Sequence, residues 1–287
     1  MDVEWRALGA SDVPGACNLS RLAGWNQTEA DWRGYLAFEP GGCLAALADG
    51  LLVGTATCVR YGQAMGWIGM VLVHPEHRRL GLGRELLQRT IRYLKGKGTR
   101  SIRLDATAAG RKVYVPLGFR DDFEVTRFEG VGPAVTAKPP APSLDVQPLV
   151  AADMRQVAEL DARAFGVDRA FVLAALAGRD PALCFVAKGS GVVAGFLVAR
   201  QGREAIQLGP MVASTSSAAE GLFGAFYRAA RGRTLFMDLP MPNRAGAEII
   251  ERHGFKVQRS FTRMTLGEDG PAGEVDLVYG TSGAEKG

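Results

Sequence analysis

The chain has 287 residues, 47% hydrophobic and 22% charged, with a formal net charge of +4, a length comfortable for two domains. No apolar run approaches the roughly 18 residues of a membrane span, and the opening MDVEWRALGASD shows no basic stretch before an apolar core, so neither a membrane partner nor a secretory leader is expected. The charge suits an anionic small ligand but is too small and scattered to argue for nucleic acid, and the dispersed Cys17, Cys43, Cys58 and Cys184 with three histidines argue against a metal site; buried thiols in a reducing cytoplasm are the expectation.

In chain order, WRALGASDVPGACNLSRLAG reads as a short strand followed by an amphipathic helix. GWNQTEADWRGYL comes next, and its Trp25, Asn26, Gln27, Trp32 and Tyr35 fit either a pocket wall or a helix with its aromatics in the core. CLAALADGLLVGTATCVR is a strand, a Gly-containing turn and a strand, hence a hairpin. IGMVLVHP is another strand, stopped by His74-Pro75. From Gly83 onward the pattern is helical: Leu86, Leu87, Thr90, Ile91 and Leu94 share one face, and the helix ends near Gly96. The basic patch Arg92, Lys95, Lys97, Arg100 and Arg103 fits a solvated helix end. A strand, a short helix and Gly118-Phe119 close the first half.

VGPAVTAKPPAPS, residues 131–143, reads as a proline-stiffened linker. It divides a domain at 1–130 from one at 144–287. The features then repeat in the same order about 140 residues on: VQPLVAADMRQVAELDARAFG, CFVAKGSGVVAGFLVAR, LGPMVAS and LFMDLPMPNRAGAEIIERHGF. Alternating helices and strands make each half an α/β unit around one sheet. GEVDLVYG, residues 273–280, is a last strand suited to a sheet edge.

Chemistry concentrates in VLVHPEHRRLGLGRELL. Gly81 and Gly83 permit a tight turn and close approach of a ligand, and the N–H groups that open the helix converge there with the helix dipole behind them. Such a point binds phosphate or pyrophosphate. It is not a P-loop, since Arg84 and Glu85 stand where Lys and Ser or Thr would be, nor a dinucleotide fingerprint, since Leu86 replaces the third glycine.

The run resembles the acetyl-coenzyme A signature of the GNAT family of N-acetyltransferases, Arg/Gln-x-x-Gly-x-Gly/Ala, met by Arg78, Gly81 and Gly83. The family's Tyr-x-x-x-Gly-Phe is present as Tyr114, Gly118 and Phe119. The resemblance implies two tandem domains of α/β (α+β) class, each a mixed, mostly antiparallel twisted sheet flanked by helices. It implies an acetyl-CoA-dependent N-acetyltransferase with no metal, in which backbone N–H groups of Arg79, Leu80, Gly81, Leu82, Gly83 and Arg84 hold the pyrophosphate. The strand Val71-Leu72-Val73 would splay from its neighbour, pair with the pantetheine arm and polarise the thioester carbonyl, and Tyr114 would protonate the departing thiolate. Thr107 stands where some relatives place an Asn on coenzyme A.

The acceptor amine, on a small molecule or peptide, must lose a proton to attack. Ile102 occupies the position of the family's frequent Glu, which leaves Asp105, Glu29 and Asp31 as base candidates. Trp25 and Asn26 are candidate substrate contacts. The second half resembles the degenerate domain of tandem GNAT proteins: ASTSSAAEGLFG lacks the arginine-glycine loop and Ile250 replaces the tyrosine, while Asn243 and Arg263 remain open as ligand contacts. It is expected to be structural, a wall for the first half's pocket, in a monomer (a pseudo-dimer of domains) or homodimer. The alternative is an acyl-CoA sensor or scaffold without turnover.

Overall fold

The computed structural model describes residues 2–133 and 144–287; from residue 134 to its end the expected linker lies outside the described residues. The first half runs β1 (Glu4–Ala7), α1 (Val13–Leu22), α2 (Glu29–Phe38), β2 (Leu44–Ala48), β3 (Leu51–Tyr61), β4 (Met65–Val73), α3 (Leu82–Gly96), β5 (Ser101–Ala106), α4 (Ala108–Tyr114) and β6 (Arg120–Val131). The second runs β7 (Asp145–Pro148), α5 (Met154–Phe165), α6 (Ala170–Ala177), β8 (Phe185–Gly189), β9 (Val192–Arg200), β10 (Ile206–Ala213), α7 (Ser216–Ala229), β11 (Thr234–Pro240), α8 (Arg244–Arg252) and β12 (Lys256–Gly267), with β13 (Val278–Gly280) after it. Up to β12 the order of strands and helices is the same in both halves.

Local chemistry accounts for the elements. Thr28 and Asp31 form a capping box at the start of α2, each side chain bonding the other's backbone N–H. The buried residues of α3 include the sequence-predicted stripe of Leu86, Leu87, Thr90, Ile91 and Leu94. Trp32 and Tyr35 are core residues of α2, 0% and 1% exposed, packed with α1 against Met70 and Leu72. Cys43, Cys58 and Cys184 are buried, and Cys17 is only half-buried. Burial pushes the Cys43 thiol up to about 12 and that of Cys184 to about 11, which keeps both inert. No helix among the described residues is long and apolar enough to cross a membrane.

Two compact units divide the chain, and neither is one continuous stretch. The first comprises Met1–Asp122 with Arg263–Gly270 and Ala284–Gly287, the second Phe123–Thr262 with Pro271–Gly283. Both 12-residue strands, β6 and β12, therefore start in one unit and end in the other. Alternation along a strand shows which face is buried, but not which sheet its far end joins.

In the first unit β1 to β4 are antiparallel neighbours, and β5 lies parallel to β4. Residues 263–267 of β12 continue the sheet beyond β5. Met264 enters the core beside Ile102 and Leu104, and the Glu268 N–H donates to the Arg100 carbonyl at 3.2 Å. The helices lie on both faces: α3 packs on Ile68, and α1 and α2 on Met70 and Leu72.

The second unit repeats this plan with β10 parallel to β11 and β6 antiparallel along β11 from Val125↔Pro240 to Val131↔Thr234. Arg127 and Asp238 pair across that ladder through two 2.7 Å hydrogen bonds, both side chains buried. The last strand is shorter than expected, and it is not at an edge. Val278–Gly280 pairs with β10 at Met211 and Val212, whose other side is taken by β9, and the Thr281 N–H reaches the Asp238 carbonyl of β11 at 2.8 Å. β13 thus fills the gap that opens where the β10–β11 ladder stops, at Leu208↔Met237.

Candidate active site

The connection from β4 to α3 turns through two left-handed residues, Arg79 at φ 65° and Gly81 at φ 83°. Gly81 is the residue before the helix, and no side chain caps it. A Cβ on Gly81 would meet open space, and one on Gly83 would meet only Val73 Cγ2, at 3.6 Å. Arg78, Arg79, Leu80 and Arg84 are exposed, whereas Leu82 is buried and anchors the turn. Arg78 Nε donates to the Val73 carbonyl at 3.2 Å, tying the loop to the strand end. The backbone N–H groups from Arg79 to Arg84 have no protein partner among the described residues. Six donors in sequence, at an uncapped helix start, form a cradle for an anion. The corresponding helix of the second unit is closed: Thr215 caps α7 by accepting from the Ala218 N–H at 3.2 Å.

Beside the cradle, the sheet splays. The β4–β5 ladder covers only Met65–Trp67 against Ser101–Arg103, although both strands run on. Past that point β4 carries a bulge. Thr57 faces Gly69 and Thr55 faces Leu72, so Met70 and Val71 together oppose Ala56. Met70 has φ 50°, and the buried Thr55 hydroxyl holds its carbonyl at 2.9 Å. No strand pairs with the β5-facing side of Val71-Leu72-Val73 among the described residues. The equivalent gap of the second unit is the one filled by β13.

Tyr114 ends α4 and packs, with Val71, against the cluster of Ile68, Leu87, Leu104, Ala106 and Phe119. Its hydroxyl bonds no described residue. Burial pushes the phenol up to about 12. Thr107 caps α4 by accepting from the Gly110 N–H at 3.1 Å, so its hydroxyl serves the helix start directly below the splay. Gly110 went unnoticed in the sequence. A Cβ there would stand 2.9–3.0 Å from the Tyr114 ring and hydroxyl, so the missing side chain is what lets the tyrosine lie where it does. A glycine inside a seven-residue helix, four before the tyrosine, was the available signal.

Of the other sequence candidates, Asp105 lies on the stretch of β5 past the ladder, and the rest lie away from the splayed strands. Asp105, a base candidate in the sequence, is bound by Arg263 through hydrogen bonds of 2.8 and 2.9 Å. Glu29 lies exposed on α2 in an ion pair with Arg33, and Asp31 is spent in the capping box. Trp25 packs partly buried against the α1–α2 core, and Asn26 beside it is buried. Asn243 caps α8, and its amide donates to the carbonyls of Asp276 and Val278, while Ile250 is buried in the second core. No group of three or more His, Cys, Asp or Glu side chains that could hold a metal exists among the described residues.

Both halves match known families. A profile described as "Acetyltransferase (GNAT) family" covers residues 17–119, and one described as "Acetyltransferase (GNAT) domain" covers 157–280. The chain is 28% identical over 155 residues to the uncharacterized N-acetyltransferase YitH of Bacillus subtilis (strain 168), spanning 53% of this chain and about half, 52%, of that relative's length. Among solved structures, a candidate acetyltransferase from Pyrococcus horikoshii superposes with a TM-score of 0.84 at 24% identity, covering 99% of this chain and 96% of that one. A tandem GNAT protein from the clavulanic acid biosynthesis pathway gives 0.65 at 17%, covering 94% and 100%. A GCN5-related N-acetyltransferase from Sphaerobacter thermophilus gives 0.65 at 18%, covering 92% and 95%. At these identities the structural likeness establishes the fold.

Proposed function

We propose, for a chain that belongs to the GNAT acetyltransferase family and is by that membership an acyltransferase, that its first unit transfers the acetyl group of acetyl-CoA to a primary amine of a small molecule or exposed peptide amino group. The second unit, in this reading, is a GNAT domain that has lost the chemistry, and the protein works in the cytoplasm. The observation that carries the proposal is the run of unpartnered N–H groups from Arg79 to Arg84 beside an open splay.

Acetyl-CoA, when bound, supplies an acyl group already activated as a thioester. The protein's part is to hold, orient and protonate. The loop N–H groups and the start of α3 would neutralise the pyrophosphate, with Arg78, Arg79 and Arg84 adding positive charge around it. The open edge of Val71–Val73 would take the pantetheine arm as an added strand, and a backbone N–H there would polarise the thioester carbonyl. Tyr114, protonated at any physiological pH, would give its proton to the departing sulfur. The amine gains the acetyl group and loses a proton; the thiol of coenzyme A is released.

A sensor that binds acyl-CoA without turnover is the second reading, and the engagement of Asp105 by Arg263 favours it, because it removes a base candidate. Calorimetric titration with acetyl-CoA, followed by thiol release over a panel of amines, separates the two. Binding with release on one amine class supports the transferase. Binding without release on any amine supports the sensor, and no binding sinks both.

A further inference from the structure

The first sheet has a second polar cluster on the face opposite α3. A Cβ on Gly66 would meet Leu94 of α3, and Ile68 packs with Leu87 and Leu94, so Trp67 and Gly69 point the other way. There the segment Ala284–Gly287 lies within the first unit. The Trp67 indole N–H donates to the Ala284 carbonyl at 3.0 Å and the Tyr61 hydroxyl to the Lys286 carbonyl at 2.7 Å. Gly69 lets the segment lie against β4, since a Cβ there would stand 2.6 Å from Glu285 Cα.

Two charges are buried with it. Glu285 and Lys286 are 3% and 1% exposed and form an ion pair with each other. Gln27 Nε2 donates to Glu285 Oε2 at 3.3 Å, and the Lys286 ammonium stands 5.6 Å from the centre of the Tyr35 ring. Gln27 Oε1 and Thr57 Oγ1, buried polar atoms of this face, have no hydrogen-bond partner among the described residues, and Thr57 lies directly across the ladder from Gly69. A carboxylate and an aromatic face around one ammonium, with an amide bound to that carboxylate, constitute a site for an alkyl ammonium.

Its place gives it a use. A thioester held in the splay has α3 and α4 on one side, and an acceptor has to come from the other. Gly69 is two residues before Val71, about 7 Å along a strand. The acceptor is a cation in water and must find a group that attracts it and takes its proton. We propose that Glu285 is the carboxylate that receives the acceptor, that the acceptor is a primary alkyl ammonium, and that the Lys286 side chain is a built-in occupant which the acceptor displaces. This rests on acetyl transfer by the first unit. In the step itself the ammonium gives one proton to Glu285, the neutral amine nitrogen bonds the acyl carbon, the carbon–sulfur bond breaks and the sulfur takes the Tyr114 proton, and the second proton shed by the new amide nitrogen returns Tyr114 to its phenol form.

The test is chemical rescue in the full chain, with n-butylammonium as probe. Lys286→Ala opens the site, so butylammonium should raise the melting temperature of this variant and leave that of the parent protein unmoved. With acetyl-CoA present, the variant's KM for butylamine in thiol release should fall at least about tenfold, and adding Glu285→Gln should abolish both effects while acetyl-CoA affinity stays unchanged. If Lys286→Ala does not fold, Lys286→Val, a short side chain that still vacates the place of the ammonium, carries the same comparison. Rescue that survives Glu285→Gln, rescue of melting without any fall in KM, or no rescue at all overturns the proposal. Failure of the parent protein to bind acetyl-CoA is a different result: it overturns the transferase reading itself, and this proposal with it.

Discussion

Arg263 closes both arms of its guanidinium on the carboxylate of Asp105, 158 residues away in sequence, with 0% of the Asp105 side chain and 9% of the Arg263 side chain exposed. The same guanidinium lies 4.7 Å from the centre of the Trp67 ring. With both oxygens held by the guanidinium, this carboxylate joins β12 to β5. Asp105→Asn should therefore lower stability by about 3–5 kcal/mol, because it leaves a buried guanidinium uncompensated. Denaturant melts measure that loss. A variant as stable as the parent, with turnover alone reduced, would return Asp105 to the list of bases.

The cradle makes a sharper demand at Gly81 than at Gly83. At φ 83° a Cβ costs about 1–2 kcal/mol even though nothing stands in its way. Gly81→Ala is expected to weaken acetyl-CoA binding about tenfold, since each 1.4 kcal/mol is a decade. Gly83→Ala, with only ordinary contact to Val73, should be mild, while Gly83→Trp places bulk where the phosphates would lie and should abolish binding. Calorimetry reads all three, and unchanged affinity in Gly83→Trp removes the loop from the site.

Tyr114→Phe should lower kcat about a hundredfold, within the usual range for a general acid, with acetyl-CoA affinity kept. Gly110→Ala should act in the same direction and less strongly, through the ring it displaces. Equal turnover in parent and Tyr114→Phe would end the acid assignment.

The pH dependence follows from burial of the phenol, which raises it from 10.0 to about 12. The native state keeps a proton that the unfolded chain gives up near 10.0, so this contribution to stability is whole below that pH and is lost as pH climbs towards 12. The rate should hold level through pH 10, and a fall centred there would show a phenol of ordinary acidity.

Acetyl-CoA should bind at one site per chain. β13 fills the second unit's gap and Thr215 caps the helix start beside it. A calorimetric stoichiometry of two would contradict the closed second gap.

How far the sequence could be read depended on the range of the forces. Elements set by local rules came through: the stripe of α3, the stop at His74-Pro75, the glycine turn and the repeated order of strands and helices. GWNQTEADWRGYL fits either wall or core by sequence because Trp32 and Tyr35 are buried by α1 and β4, which no local pattern reveals. The partners of Asp105, the gap taken by β13 and the buried Glu285 all depend on contacts between segments far apart in the chain. Long-range pairing of this kind is chosen by packing and charge, after local propensity has had its say.

The exchange of β6 and β12 bears on how the protein can be made. As the chain leaves the ribosome, the first unit has its helices and five strands while still missing the segment that lies beside β5 and neutralises Asp105. It cannot close until residues 263–270 have been translated, so the half made first must wait, edge exposed, for the half made last. Expressing 1–130 alone should yield an insoluble product, and supplying 144–287 from a second gene should recover little unless the two pieces meet while both are still nascent.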